Sequence, residues 1–174
     1  MNYISIGLGI LVVAYGIFLF LKKTFMMSRI VELTVLLVGM YTLNINKFGM
    51  NKNYFIIFLV IFLIYYYLFN SKYIIYGVEK GIFLENFEKI LTEKNIKYSK
   101  GESEYNILDI NKKIRYFYHR DSIEIDFREI KKIKLYKVLK SILKEEIKVL
   151  KYDKIVPHSF IYILGGLFLI FIRI

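Results

Sequence analysis

The chain has no cysteine in 174 residues. Disulfides, thiolate metal sites, thiol nucleophiles and a lipoprotein anchor are therefore excluded. Tryptophan is absent and histidine occurs only twice, which leaves no basis for a histidine-built metal centre. Acids are scarce: 15 Asp and Glu face 26 Lys and Arg, for a formal charge of +11. No His-Glu-x-x-His, Gly-x-Ser-x-Gly or paired-carboxylate pattern occurs. Gly7-Leu8-Gly9 lies inside an apolar run and is no nucleotide fingerprint. His119-Arg120-Asp121 lacks the glycine-rich loop and strand lysine of a kinase. No catalytic residue, cofactor or metal is implied. Heavy use of Lys, Ile, Asn, Tyr and Phe fits an AT-rich bacterial genome.

Long apolar runs are what the chain does have. Uncharged stretches cover 4–21, 33–46, 53–71 and 155–172. Runs of 18 or 19 such residues match a hydrocarbon core of about 30 Å at 1.5 Å per residue. The 14-residue run at 33–46 is short, and spans only if Arg29 and Glu32 sit as a pair at headgroup level. Their i,i+3 spacing lets them meet on one helix face. The pattern predicts an integral membrane α-helical protein with four spans, three before and one after an inserted small α+β domain. The expected units are 1–71, 72–154 and 155–174.

Basic residues suggest an orientation. Lys22, Lys23, Arg29, Lys72, Lys148, Lys151 and Lys154 would share one side, against Lys47, Lys52 and Arg173 on the other. The positive-inside rule then predicts a multi-pass bacterial inner-membrane protein, with its domain cytoplasmic and both termini outside. Tyr65, Tyr66 and Tyr67 would form an aromatic belt. Gly9 and Gly16 share a face of the first helix, and Gly165 and Gly166 interrupt the last. Small residues of this kind let helices approach closely.

Between 72 and 154 the patterning changes. Tyr73–Tyr76 reads as a strand. Over 80–94, Phe83, Leu84, Phe87, Ile90 and Leu91 recur at helical spacing, and Asn95 can end that helix in the left-handed conformation. Strands are expected at 96–99 and 103–108, then a hairpin in which Ile114, Tyr116 and Tyr118 and, after a turn, Ile123, Ile125 and Phe127 alternate with polar or outward residues. A helix from Glu129 to about Lys151 closes the domain. The order predicts one sheet with two helices on one face, and a core containing Phe87, Leu91, Leu139, Leu143, Tyr116 and Ile125.

Lys137, Lys140, Lys144, Lys148 and Lys151 step by three and four along that last helix. They form one stripe, about 80° wide, beside the apolar arc. This is the candidate face for anionic lipid or an acidic protein partner. A charge of about +6 over 72–154 also attracts nucleic acid, a less economical reading of a domain flanked by apolar segments. His119, Asp121 and Glu124 cluster near one turn and read as ordinary polar turn residues. The sequence therefore predicts a non-catalytic membrane protein whose α+β domain binds or senses a partner, with membrane lipids, a protein partner or a second copy as candidates. The alternatives are an immunity or defence protein against a membrane-active toxin, and an accessory subunit of a transporter or channel.

Overall fold

The computed structural model describes residues 3–21, 24–48, 52–119, 122–150 and 158–171. The helices are α1 (Tyr3–Leu21), α2 (Arg29–Phe48), α3 (Lys52–Phe69), α4 (Lys80–Glu93), α5 (Lys134–Val149) and α6 (His158–Phe171). The strands are β1 (Phe25–Ser28), β2 (Lys72–Tyr76), β3 (Tyr98–Lys100), β4 (Glu104–Ile107), β5 (Lys112–His119) and β6 (Ser122–Asp126). Two units emerge. One takes 1–22, 30–70 and 155–174, and the other takes 23–29 and 71–154.

The second unit is built on a six-stranded, wholly antiparallel sheet in the order β1-β2-β6-β5-β4-β3. Alternation decides its faces, because successive side chains of a strand point opposite ways. Tyr73 and Ile75, Tyr105 and Ile107, Ile114 and Tyr116, and Ile123 and Ile125 point to one side. There they meet Phe83, Phe87, Ile90 and Leu91 of α4 and Leu139, Leu143 and Ile147 of α5. All six expected core residues lie in this cluster. Asn95 adopts φ 53° after α4, and Asn111 φ 49° before β5. Both are residues that tolerate the left-handed region. Gly77, at φ 68°, turns the chain out of β2.

Residues 25–28 were not expected to be a strand. They pair with β2 from Phe25↔Tyr76 to Ser28↔Tyr73, and so the sheet's edge comes from between α1 and α2. The closing helix is shorter than expected. Its forecast first turn at 129–133 is irregular, and α5 starts at Lys134.

The helical unit overturns the expected fold class. Among the described residues, no helix is long and apolar enough to cross a membrane. A span takes about 20 consecutive apolar residues over about 30 Å. α1 and α3 have 19 and 18 residues, and α6 has 14. At 1.5 Å per residue those are about 28, 27 and 21 Å. α2 has 20 residues but opens on Arg29 and Glu32 and contains Lys47. The four-span membrane fold is therefore corrected to an α+β fold with a six-stranded antiparallel sheet. The multi-pass inner-membrane location, with a cytoplasmic domain and outward termini, falls with it.

α1 and α6 pack antiparallel along a small-residue seam. A Cβ at Gly9 would come within 3.1 Å of the Gly166 carbonyl, and one at Gly166 within 2.8 Å of the Gly9 carbonyl. A Cβ at Gly16 would come within 2.9 Å of the Ser159 carbonyl. The glycine seam thus serves pairing within the chain. Elsewhere this unit turns large apolar side chains outward, as at Leu11, Leu63 and Tyr67. Apolar surface on that scale is contact surface.

Candidate anionic docking face

α5 is positioned by its apolar side. Leu139, Leu143 and Ile147, each four residues apart, are buried against the sheet, and Leu135, Tyr136 and Ile142 pack beside them. The opposite side therefore faces outward, and lysines occupy much of it. Lys137, Lys144 and Lys148 are exposed, while Lys140 is half-buried. Lys151 lies outside the described residues.

The four described lysines differ in their surroundings. Lys137 and Lys144 make no ion pair among the described residues. Lys148 Nζ donates to Glu145 Oε1 at 2.8 Å, one turn away. That hydrogen bond holds the Glu145 carboxyl below its usual range. Lys140 Nζ lies 4.9 Å from the centroid of the Tyr73 ring and 5.8 Å from that of Tyr136. Its ammonium rests over aromatic faces, which attract cations.

Charge in this unit is strongly segregated. Residues 72–130 carry eleven basic and eleven acidic side chains. Residues 131–149 carry seven lysines and two glutamates, a net +5. Of the +6 carried by 72–154, +5 is thus concentrated on α5 and the turn before it, and Lys23 and Arg29 add +2 beside β1. Val138 and Val149 are exposed on the other flank of α5, away from the lysines.

The other expected sites take different places. Arg29 and Glu32 both lie in the first turn of α2. Arg29 Nε is 3.6 Å from Glu124 Oε2, and Glu32 Oε1 accepts the Tyr162 hydroxyl at 3.3 Å. His119 ends β5 in an exposed position, and Asp121 lies outside the described residues. Glu124 is buried, and accepts from Lys72 Nζ at 2.9 Å. No group able to hold a metal occurs among the described residues.

Two arrangements were not foreseen. On the sheet face away from α4 and α5, the register sets Lys72, Asp126, Arg115 and Glu104 side by side across four strands. Charges alternate along that row, the favourable order for cross-strand neighbours. The sequence signal was the polar half of each alternation. On the opposite face the Tyr73 and Tyr136 hydroxyls lie 2.7 Å apart. Nothing local in the sequence links two residues 63 positions apart.

No protein family, curated protein or solved structure matches this chain.

Proposed function

We propose that the sheet unit is a non-catalytic binding module that docks through the lysine face of α5 onto an anionic lipid surface. One observation carries this reading. Residues 72–130 are electrically balanced, while 131–149 carry a net +5, the largest share of the sheet unit's excess. A charge so placed orients the unit toward a polyanion as well as attracting it. Lysines rather than arginines supply it, and these are hydrated point charges suited to an extended surface rather than a planar, bidentate partner.

Sedimentation of the full-length chain with vesicles tests the reading. Anionic vesicles should retain more protein than zwitterionic ones. The difference should shrink as salt rises, since the Debye length falls from about 10 Å at 0.1 M to about 3 Å at 1 M. Replacing Lys137 and Lys144 by Gln should weaken the anionic component about 30-fold, at about 1 kcal/mol per lysine. Replacing Lys89 on α4 and Lys94 just after it should weaken it less. Equal losses from both pairs, or equal binding to both vesicle types, would refute docking through α5.

A further inference from the structure

The geometry points to a recognition niche for one phosphate group, formed by Tyr73, Tyr136 and Lys140 at the edge of the lysine face. The inference rests on the docking reading and adds the headgroup chemistry to it.

The niche is assembled by the sheet and α5 together. β2 sets Tyr73 on the helix-facing side, and α5 brings Tyr136 and Lys140, one turn apart, over it. Phe127 braces both phenols, with ring centroids 6.1 Å from Tyr73 and 5.9 Å from Tyr136. The rings are thus positioned by the core rather than by each other alone.

Its hydrogen-bonding capacity is unbalanced. Two phenols carry two hydroxyl protons, and their mutual bond at 2.7 Å uses only one. The other has no acceptor among the described residues. The Lys140 ammonium brings three more donors and accepts nothing. It lies over the rings, without a carboxylate partner among the described residues. Burial and the Tyr136 hydroxyl push the Tyr73 phenol well above its usual range, so it stays a donor at neutral pH. A cluster of donors beside a cationic face suits a ligand made of acceptors. A phosphate presents several anionic oxygens in a tetrahedron, and can take the phenolic proton and the ammonium at once. The same chemistry is offered by a phosphomonoester lipid headgroup and by free phosphate.

The test uses the full-length chain and vesicles matched in surface potential, containing either phosphatidic acid or phosphatidylserine. The niche predicts tighter binding to phosphatidic acid, by about tenfold for one hydrogen bond to a charged group. Tyr73→Phe with Tyr136→Phe keeps both rings and removes both hydroxyls, since either phenol alone would keep one free proton, and Lys140→Met keeps the apolar stem. Each should bring the two vesicle types to parity. Lys137→Gln with Lys144→Gln should weaken both equally and leave the preference intact. Titration of inorganic phosphate into protein carrying 13C at the tyrosine ζ carbon separates the sources. A Tyr73 or Tyr136 shift that Lys140→Met abolishes shows that free phosphate binds; a lipid preference without that shift assigns the headgroup. Parity in the wild type, or a preference that survives the double Tyr73→Phe, Tyr136→Phe variant or Lys140→Met, overturns the niche. Failure to bind any anionic vesicle would instead refute the docking reading. The phosphate titration would then decide the niche alone, for it if the shift appears and against it if not.

Discussion

Phe25 stacks on Tyr76 with ring centroids 5.1 Å apart and 24° between the planes. The two residues are also Cα partners across β1 and β2. One contact thus ties a four-residue segment between two apolar helices into a sheet whose other strands begin at Lys72. Met26 packs on the core beside it, and Phe25 is 8% exposed. The sheet unit is therefore incomplete without 23–29.

Phe25→Ala should destabilise the sheet unit by about 3 kcal/mol, the lower end for truncating a buried phenylalanine, since β1 lies at an edge. Native-state hydrogen exchange should show the β2 amides losing protection while the β4 amides change less. Uniform loss across the sheet, or no loss, would contradict the role given to this contact.

That edge strand marks the limit of what the sequence revealed. β5 and β6 were legible because Ile114 and Tyr116, then Ile123 and Ile125, alternate with polar neighbours. α4 was legible because Phe83, Phe87, Ile90 and Leu91 recur at helical spacing. Phe25-Met26-Met27-Ser28 has neither period nor turn signal, and it is a strand because β2 accepts it. The lysine stripe was legible as spacing, but not the aromatic seat of Lys140, which depends on Tyr73 arriving from β2. The apolar runs misled for a related reason. They register avoidance of water, and they do not fix helix length or what covers the side chains.

Glu88 joins α4 to the far end of the sheet. Its Oε1 lies 2.6 Å from Lys100 Nζ and accepts the Tyr105 hydroxyl at 2.9 Å. The Lys100 hydrogen bond, aided by that of Tyr105, holds the carboxyl below its usual range. A carboxyl depressed in the folded state binds its proton more readily when unfolded. Its contribution is therefore complete above the unfolded value of about 4.3, and is lost as pH falls through the folded value. Urea midpoints measured from pH 6 downward should fall less steeply for Glu88→Gln than for the wild type. Parallel curves would show that the pair carries no linkage.

Asp126 is the acid most enclosed by bases. Its side chain is 3% exposed. It accepts Arg128 Nε at 2.9 Å and a terminal guanidinium nitrogen at 2.7 Å, and Lys72 Nζ lies 3.9 Å away. Arg128 is 41% exposed and can turn to water, whereas Lys72 is less exposed, so losing the buried carboxylate costs less than breaking a fully buried pair, about 1–3 kcal/mol. Asp126→Asn should cost that much. Lys113→Gln touches a more exposed pair with Glu104, worth about 0–1 kcal/mol. Chemical denaturation of both variants measures the contrast, and similar losses would mean that burial does not set the strength of this network.

Gly165 and Gly166 are neighbours on α6 with opposite surroundings. A Cβ at Gly165 would meet nothing within 4 Å. At Gly166 it would meet the Val13 backbone nitrogen at 2.7 Å and the Gly9 carbonyl at 2.8 Å. Backbone atoms cannot rotate away, so α1 and α6 would have to separate. Gly165→Ala should be neutral or stabilising by up to about 1 kcal/mol, since alanine is the better helix former. Gly166→Ala gains the same propensity and should still loosen the pair. The absence of native cysteine allows a direct measurement. Phe20 and Phe160 have ring centroids 5.6 Å apart across α1 and α6. With Phe20→Cys and Phe160→Cys in place, a short bifunctional thiol crosslinker should close the pair readily in the Gly165→Ala background and poorly in the Gly166→Ala background. Equal closure in both would show that the seam tolerates a methyl group, and that the glycines do not set the spacing of the two helices.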